Sequence, residues 1–333
     1  MKRKGNLIED IASLDNLVLA HYRAKRGKSY KQEVLCFSEN LMQNLEALQK
    51  GITSGSVKVG DYHYFTIYDP KERQICAASY PERVLHHALM GVCDPYFESY
   101  QIADSYATRK GKGTFKAVDR AWGFQKKFPF FLKLDVRKYF DSIDHGILLS
   151  LLGHRFKDAG LLAIFVRILD SYHTKPGKGL PIGNLTSQYF ANYYLGLMDH
   201  WLKETHGVKA YVRYMDDFVI WHDDKAWLQF IAKEIIGFLE TRLALTLKTC
   251  YVAKATNGLP FLGFRLFPCK KILSARSKKR YARKMPALSA ALLRGDISQA
   301  QFQARATALN AFTEKAYSLK FMRNVLDKCN FTE

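Results

Sequence analysis

The feature that most constrains the fold is a pair of adjacent acids, Asp216 and Asp217, between two runs of β-forming residues. The runs cover residues 210–213 and 218–221, a pattern that predicts a hairpin with the acids at its tip. Adjacent carboxylates repel each other, so the pair favours a bound cation. Carboxylate oxygens on a tight turn suit Mg²⁺. Solvated acidic turns are also common, so this pattern needs support from other segments.

The charge of the chain favours a polyanionic partner. Lys and Arg number 51 against 31 Asp and Glu in 333 residues, a formal net charge of +20. Nucleic acid is the first candidate for that partner, and a generally basic soluble protein is the alternative. The sequence has neither an apolar run of the roughly 20 residues that span a membrane nor a secretory signal, which predicts a cytoplasmic protein. The six cysteines show no paired spacing, which argues against a zinc site and a disulfide framework.

Hydrophobic periodicity predicts strands that alternate with helices, followed by a basic helical tail. The predicted strands cover residues 62–68, 74–78 and 130–136, with a charged turn at 71–73. The predicted helices cover residues 83–92, 190–201, 227–238 and most of 270–333. This order indicates an α+β core with an appended helical domain.

A third acid, Asp135, ends the predicted strand 130–136. If that strand lies beside the 210–221 hairpin, three carboxylates meet at one edge of a sheet, and the carbonyl oxygen of Val136 can complete a ligand set. Nucleotidyl transfer with two metal ions requires such a convergence. Alternatively, Asp135 is a helix N-cap or an ion-pair partner of Arg137 or Lys138.

Four segments then match a known family in order and approximate spacing. Residues 131–143 (FLKLDVRKYFDSI) resemble the first catalytic motif of reverse transcriptases, and 214–217 (YMDD) resemble the second. Residues 179–188 (GLPIGNLTSQ) are similar to the loop and helix between these motifs, and 261–264 (FLGF) to the primer grip. The resemblance covers about residues 60–270 and is specific, because four motifs agree together.

The resemblance implies a right-hand polymerase fold of the α+β class, with a palm of antiparallel sheet backed by helices. It predicts an N-terminal helical extension over 1–60, fingers over 61–130, a palm over 131–268 and a small basic helical thumb over 269–333.

The same resemblance implies roles for individual residues. Asp135, Asp216 and Asp217, with the backbone of Val136, would hold two Mg²⁺ ions, for which Mn²⁺ can substitute. Lys248 resembles the lysine that protonates the leaving pyrophosphate, although Lys254 is a rival for that role.

Two further sets of residues are implied to bind nucleotide and nucleic acid. The predicted nucleotide-binding residues are Lys71, Arg73, Phe140, Ile182, Gly183 and Gln188. The predicted nucleic-acid-binding residues are Arg109, Lys110, Lys112, Phe261, Leu262, Gly263, Lys278, Lys279 and Arg280. Phe140 stands where the family has an aromatic steric gate against the 2′-hydroxyl of ribonucleotides. A plain core aromatic is the alternative.

The loop motif also suggests a branch of the family. Intron-type bacterial enzymes usually carry Gln at the position of Ile182 and Ser-Pro in place of Ser187-Gln188. The combination in this chain is similar to the reverse transcriptases of diversity-generating retroelements, although Ile182 can also be an apolar packing choice. Isoleucine cannot hydrogen-bond a base, so discrimination between right and wrong pairs should weaken.

That branch implies RNA-directed DNA synthesis with errors at template adenines. The implied partners are a template RNA and its hybrid with DNA, dNTPs and a small basic, oligomeric accessory variability protein. An intron maturase that acts mainly by binding RNA and a phage-defence reverse transcriptase are the alternatives. An RNA polymerase is disfavoured by Phe140.

Overall fold

The chain folds into two compact units, each built from separate stretches of sequence. The computed structural model describes residues 3–68, 72–327 and 329. The first unit comprises Met1–Ala103, Val136–Gly207 and Ile235–Lys248, and the second comprises Asp104–Asp135, Val208–Glu234 and Thr249–Glu333. The fingers, palm and thumb boundaries stay a prediction, because compactness does not identify those roles.

Helices and antiparallel strands alternate along the chain. The helices are α1 (Ile8–Ala12), α2 (Leu14–Ala24), α3 (Gln32–Glu39), α4 (Leu41–Thr53), α5 (Tyr80–Glu98), α6 (Thr114–Gln125), α7 (Tyr139–Ser142), α8 (His145–Arg155), α9 (Ala159–Asp170), α10 (Leu185–His200), α11 (Lys225–Leu243), α12 (Ala275–Leu293), α13 (Gln299–Glu314) and α14 (Leu319–Leu326). The strands are β1 (Tyr62–Ile67), β2 (Arg73–Ala78), β3 (Phe130–Val136), β4 (Tyr211–Tyr214), β5 (Asp217–His222), β6 (Leu247–Lys254), β7 (Leu259–Phe261), β8 (Phe264–Leu266) and β9 (Lys271–Leu273).

Three small sheets organise these strands. β1 and β2 form a hairpin, β4-β5-β3-β6 form a four-stranded sheet, and β7-β8-β9 form a three-stranded sheet. The pairings of β3 and β4 with β5, and of β8 with its two neighbours, are antiparallel. The predicted α+β class is therefore confirmed.

The first unit is centred on helix α5, which packs against α2 and α10. Pro81 stands at the start of α5, where its missing N–H leaves no hydrogen bond unmade. The next turns bury an apolar face that includes Val84, Leu85 and Leu89. Burial of one apolar face is the main source of stability for a helix of this kind.

The second unit has its core on β3 and β5. Phe131, Val219 and Trp221 are buried there against α6 and the β7–β9 sheet. Helices α12, α13 and α14 form a separate small core that includes Tyr281, Met285 and Val325. A strand buried on both sides reads as a continuous apolar run, which is why β3 is conspicuous in the sequence.

The predicted elements are present, and their bounds differ in informative ways. The strand predicted over 62–68 ends at Ile67, and helix α5 extends well beyond the predicted 83–92. Arg73 is the first residue of β2, so its assignment to a charged turn is wrong; Lys71 lies outside the described residues. The tail is not wholly helical, since β9 precedes α12 and completes the third sheet.

The sequence predicted neither a membrane span nor a disulfide framework. Among the described residues, no helix is long and apolar enough to cross a membrane. All six cysteines are free thiols; three are buried and three are exposed.

Candidate active site

The carboxylates predicted to hold metal lie on adjacent strands of the four-stranded sheet. Asp135 of β3 stands directly opposite Asp217 of β5 in the antiparallel register. Side chains at such paired positions have Cβ atoms about 4.5–5.5 Å apart. Asp216 lies in the turn between β4 and β5. Asp217 is therefore the first residue of a strand, whereas the sequence pattern placed it at the hairpin tip.

The turn that carries Asp216 is held in an uncommon backbone conformation. Tyr214 pairs with Asp217, which leaves Met215 and Asp216 as a two-residue loop. Met215 has a φ of 57°, in the left-handed region that side chains other than glycine seldom adopt. The guanidinium of the fully buried Arg213 donates a 3.1 Å hydrogen bond to the Met215 carbonyl. This contact helps to stabilise the turn, and strained turns of this kind concentrate at functional sites.

A buried lysine faces the same carboxylates. Lys133 lies two residues before Asp135 on β3, so both side chains point to one face of the sheet. The Lys133 ammonium donates a hydrogen bond to Oδ1 of Asp217. Burial lowers the pKa of Lys133 to about 7, while the charges of Asp135 and Asp216 act to raise it. One ammonium thus interacts electrostatically with all three carboxylates that are predicted to bind metal.

The donor atoms fit a divalent cation in type and in register. Asp135 and Asp217 are opposed, Asp216 is adjacent, and carboxylate oxygens are the ligands that Mg²⁺ and Mn²⁺ prefer. The ion pair between Lys133 and Asp217 already places one positive charge against these oxygens. Among the described residues, however, no group of three or more His, Cys, Asp or Glu side chains is already arranged to hold a metal ion.

The predicted template-binding segment is attached to the edge of the same hairpin. The Arg213 N–H donates to the Asp104 carbonyl, and the Tyr106 N–H donates to the Arg213 carbonyl. Beyond this short pairing, Arg109 donates to the Ser105 carbonyl at 2.7 Å, and the Lys112 ammonium lies 4.9 Å from the Tyr106 ring centre.

Lys110, in the same loop, is exposed. The segment therefore carries positive charge next to β4, which is compatible with contacts to a phosphate backbone.

The predicted primer-grip residues form the turn between β7 and β8. Phe261 is buried, whereas Leu262 and Gly263 occupy the turn with φ values of 46° and 86°. The Lys133 ammonium lies 5.0 Å from the centre of the Phe261 ring. Ser274 and Ser277, at the start of α12, both donate to the Gly263 carbonyl. The turn thus connects the carboxylate site to the first helix of the basic tail.

In the first unit, the predicted nucleotide-binding loop is bonded to strand β2. The Cys76 N–H donates to the Ile182 carbonyl at 2.8 Å, and the Ala78 N–H donates to Oδ1 of Asn184. Gly183, between these contacts, has a φ of 129°. A Cβ added there would lie 2.9 Å from Cγ2 of Ile75, so only glycine allows this approach. Gln188 is exposed on the first turn of α10.

Phe140 also belongs to this unit. It lies on the short helix α7, is partly exposed, and accepts a hydrogen bond on its carbonyl from the Leu180 N–H. Arg73 is exposed at the beginning of β2. One network around the 179–184 loop and the β1–β2 hairpin thus positions Phe140, Ile182 and Arg73. The nucleotide-binding roles of these residues stay predictions.

The remaining predicted residues lie on two other elements. Lys248 and Lys254 are both exposed and stand near opposite ends of strand β6, so the choice of proton donor stays open. On α12, Lys279 and Arg280 are exposed, whereas the Lys278 ammonium lies 5.8 Å from the Phe321 ring centre.

Two residues of the site, Lys133 and Arg213, were not predicted from the sequence. Both alternate with apolar residues along a strand, a pattern that usually means a solvent-facing charge. Both are buried in the structure, where the Phe261 ring of β7 lies over the Lys133 ammonium and the 104–106 segment pairs beside Arg213. The available signal was position, since each lies two or three residues from a predicted metal ligand.

Comparisons with known proteins identify the family of the chain. The family model described as reverse transcriptase (RNA-dependent DNA polymerase) matches residues 69–266, more than half of the chain. The putative COX1/OXI3 intron 1 protein of Saccharomyces cerevisiae is 25% identical over 216 residues, 60% of this chain and 25% of that protein. Protein YkfC of Escherichia coli K12 is 24% identical, with 60% of this chain and 65% of that protein covered.

The fold is shared with solved structures. Apo telomerase from Candida tropicalis, truncated from its C-terminal domain, superposes with a TM-score of 0.51 at 13% identity, covering 68% of this chain and 59% of that chain. The match to the family model includes the segments that resemble the first and second catalytic motifs and the loop between them. The chain therefore belongs to the reverse transcriptase (RNA-dependent DNA polymerase) family.

Proposed function

We propose that this protein is an RNA-directed DNA polymerase that copies a template RNA into cDNA by metal-dependent nucleotidyl transfer. The observation that carries the proposal is the direct opposition of Asp135 and Asp217, with Asp216 in the adjoining turn, in a chain of this family. A hairpin that holds two acids next to a third on the neighbouring strand has a clear use in gathering cations at a reacting phosphate.

The three carboxylates and the Val136 carbonyl would hold two Mg²⁺ ions, or Mn²⁺ in their place. Bound there, the ions would activate the attacking 3′-hydroxyl and balance the charge of the triphosphate and pyrophosphate. The chain's own residues provide the rest. Asp216, in the turn that Arg213 stabilises, and Asp217, at the start of β5, hold the ligand oxygens in place. Lys248 or Lys254 supplies a proton to the leaving group.

Selection of the substrate belongs to residues of the first unit. Phe140 would exclude the 2′-hydroxyl of a ribonucleotide, and Lys71 and Arg73 would bind the triphosphate. Ile182, Gly183 and Gln188 would contact the incoming nucleotide.

In the finer form of the proposal, the enzyme serves a diversity-generating retroelement in the cytoplasm and makes frequent errors at template adenines. The Ile182 side chain supports this form, because it replaces an amide that can orient a base by an apolar group. The partners would be a template RNA and a small basic accessory protein, with the RNA binding both basic proteins.

An intron-type reverse transcriptase with a maturase role is the second candidate. The resemblance to the yeast putative COX1/OXI3 intron 1 and intron 2 proteins favours it. The chain spans only 25% and 15% of those proteins, so their full activities are not carried over. The Ser187-Gln188 pair favours the first candidate.

The test is primed cDNA synthesis on a mixed-sequence RNA with Mg²⁺ and all four dNTPs, followed by sequencing. Asp216→Asn is the matched control, because it removes one charge and keeps the side-chain shape. We expect extension by the wild type and none by the variant, with RNA affinity nearly unchanged. Substantial extension by Asp216→Asn would refute the carboxylate assignment.

The error spectrum separates the two candidates. Errors concentrated opposite template adenines would support the diversity-generating form. Evenly accurate cDNA would keep the polymerase and favour the intron-type enzyme. The same assay repeated with the accessory protein and the cognate RNA tests whether those partners are needed.

A further inference from the structure

The position of Lys133 goes beyond the proposed metal-dependent function, on which it rests. The side chain is 8% exposed on β3 and lies diagonally across from Asp217, since Lys133 pairs with Val219 and Asp135 pairs with Asp217. A buried ammonium is stable only when paired with an anion or when it forms several hydrogen bonds. Here the anion is one of the carboxylates predicted to bind metal.

We propose that Lys133 is an internal counter-cation of the carboxylate site, which holds Asp217 in the absence of metal and leaves it when a divalent cation binds. Lys133 is therefore a positioning residue, because it acts on the ligands and has no assigned contact with substrate. The three acids would repel one another without a cation, and the ammonium offsets that repulsion before the metal arrives.

Two contacts support the displacement. The Lys133 ammonium occupies Oδ1 of Asp217, an oxygen that a bound cation would need. A cation that binds this oxygen competes with Lys133 for it. The Phe261 ring, 5.0 Å from the ammonium, offers the displaced charge a second favourable contact at the primer-grip turn.

The signs of the charges point the same way. The Lys133 ammonium and a divalent cation are both positive, so they repel each other when they approach the same oxygen of Asp217. Metal and Lys133 are then alternatives at Asp217, and the lysine should make metal binding weaker than the carboxylates alone would allow.

The test compares Mn²⁺ binding to the full chain and four variants. Free Mn²⁺ is measured by electron paramagnetic resonance, and thermal unfolding is measured with EDTA and with Mn²⁺. The variants are Lys133→Met, Lys133→Arg, Asp217→Asn and the double variant Lys133→Met/Asp217→Asn. Lys127→Met is the control, because it removes the same charge from an exposed site in the same unit.

We expect Lys133→Met to bind Mn²⁺ about tenfold more tightly, or 1.4 kcal/mol, and to unfold at a lower temperature in EDTA. Lys133→Arg should retain the weaker binding, because it keeps the charge, and Lys127→Met should change neither quantity. In the Asp217→Asn background, Lys133→Met should cause no further loss of stability in EDTA, because the pair is already broken and the unpaired buried charge is removed.

Unchanged or weaker Mn²⁺ binding by Lys133→Met would overturn the proposal. If this variant is unfolded in EDTA, Mn²⁺ should restore its folded state, and failure to do so would also overturn it. Asp135→Asn and Asp216→Asn distinguish the underlying function. If these two variants still bind Mn²⁺, the assignment of the metal site to the carboxylates is wrong. If they do not bind Mn²⁺, that assignment holds, and the result for Lys133→Met tests the counter-cation role alone.

Discussion

At the scale of single residues, the site depends on side chains whose neighbours alter their chemistry. Asp217 would be an ordinary surface acid elsewhere, but here it faces Asp135 across two strands and accepts a hydrogen bond from Lys133. Met215 adopts a left-handed φ that the Arg213 guanidinium helps to hold. These contacts fix the position of the acids and place one buried positive charge beside them.

Substitution of Phe140 tests selection of the sugar. Phe140→Ala should admit ribonucleotides, because it removes the ring proposed to clash with a 2′-hydroxyl. We expect the ratio of dNTP to rNTP incorporation to fall by about 100-fold or more. Each factor of ten in that ratio corresponds to about 1.4 kcal/mol of free energy. Single-nucleotide extension assays measure it. Phe140→Tyr keeps the ring and serves as the control. Unchanged sugar selectivity in Phe140→Ala would show that Phe140 is not the steric gate.

Fidelity is predicted to depend on Ile182. Ile182→Gln introduces an amide that can hydrogen-bond a base or nucleotide, so we expect fewer errors opposite template adenines. Sequencing of cDNA copied from one RNA by both proteins measures the difference. Ile182→Leu keeps an apolar side chain and should retain the wild-type error spectrum. If the glutamine variant makes the same errors, another residue sets the fidelity.

At the scale of elements, short segments add strands or contacts to larger ones. Residues 104–106 pair beside β4, and the 182–184 segment bonds to β2. Each attachment fixes a loop that carries predicted binding residues. Loops attached in this way keep their side chains in place while they remain open to a ligand.

Gly183 tests the attachment to β2. In Gly183→Ala the new Cβ would lie 2.9 Å from Ile75 and 3.0 Å from the Cys76 carbonyl oxygen, at a φ of 129°. We expect a loss of roughly 2–3 kcal/mol of stability from overpacking and backbone strain together. Gly177→Ala is the matched control, because Gly177 also has positive φ but nothing lies within 4 Å of the added Cβ.

Thermal unfolding of the two glycine variants measures the difference. Gly177→Ala should lose about 1 kcal/mol, the strain component alone. Equal losses in both variants would mean that the contact between the loop and β2 does not constrain Gly183.

At the scale of the whole molecule, the net charge of +20 is the dominant property. Much of the excess lies in the basic tail, where α12 carries the Lys278-Lys279-Arg280 run. Counterions released from a bound RNA make affinity fall steeply with salt. A protein that binds RNA largely through such contacts loses most of its affinity when the salt concentration is raised.

We therefore expect RNA affinity to fall linearly with salt on logarithmic axes, and the triple change of Lys278, Lys279 and Arg280 to Gln to reduce the slope. Each lost phosphate contact should lower the slope by about 1, so the reduction should approach 3. Filter binding between low and moderate salt measures the slope.

A triple change of Lys58, Lys225 and Lys233 to Gln is the control for that slope. It removes the same charge from exposed positions outside α12. If both triple variants change the slope equally, the α12 run makes no particular contact with RNA.

The sequence by itself determined the elements and the acids of the site. Runs of β-forming residues predicted β3 and the β4–β5 hairpin, and a shared edge for Asp135, Asp216 and Asp217 followed on the condition that these strands are neighbours in a sheet. Local patterns suffice for these features, because the strands bury apolar runs and an acidic turn is conspicuous. The strand β9 escaped prediction because it has only three residues in a basic stretch and forms by pairing with β8.

Only the tertiary structure decided which charges are buried. Lys133 and Arg213 have the sequence pattern of surface residues, but both are buried beside segments that are distant in the sequence, Phe261 of β7 and the loop at 104–106. The division into two discontinuous units is likewise set by long-range contacts. A periodic pattern reports which face of an element is apolar, but it does not report what covers the other face.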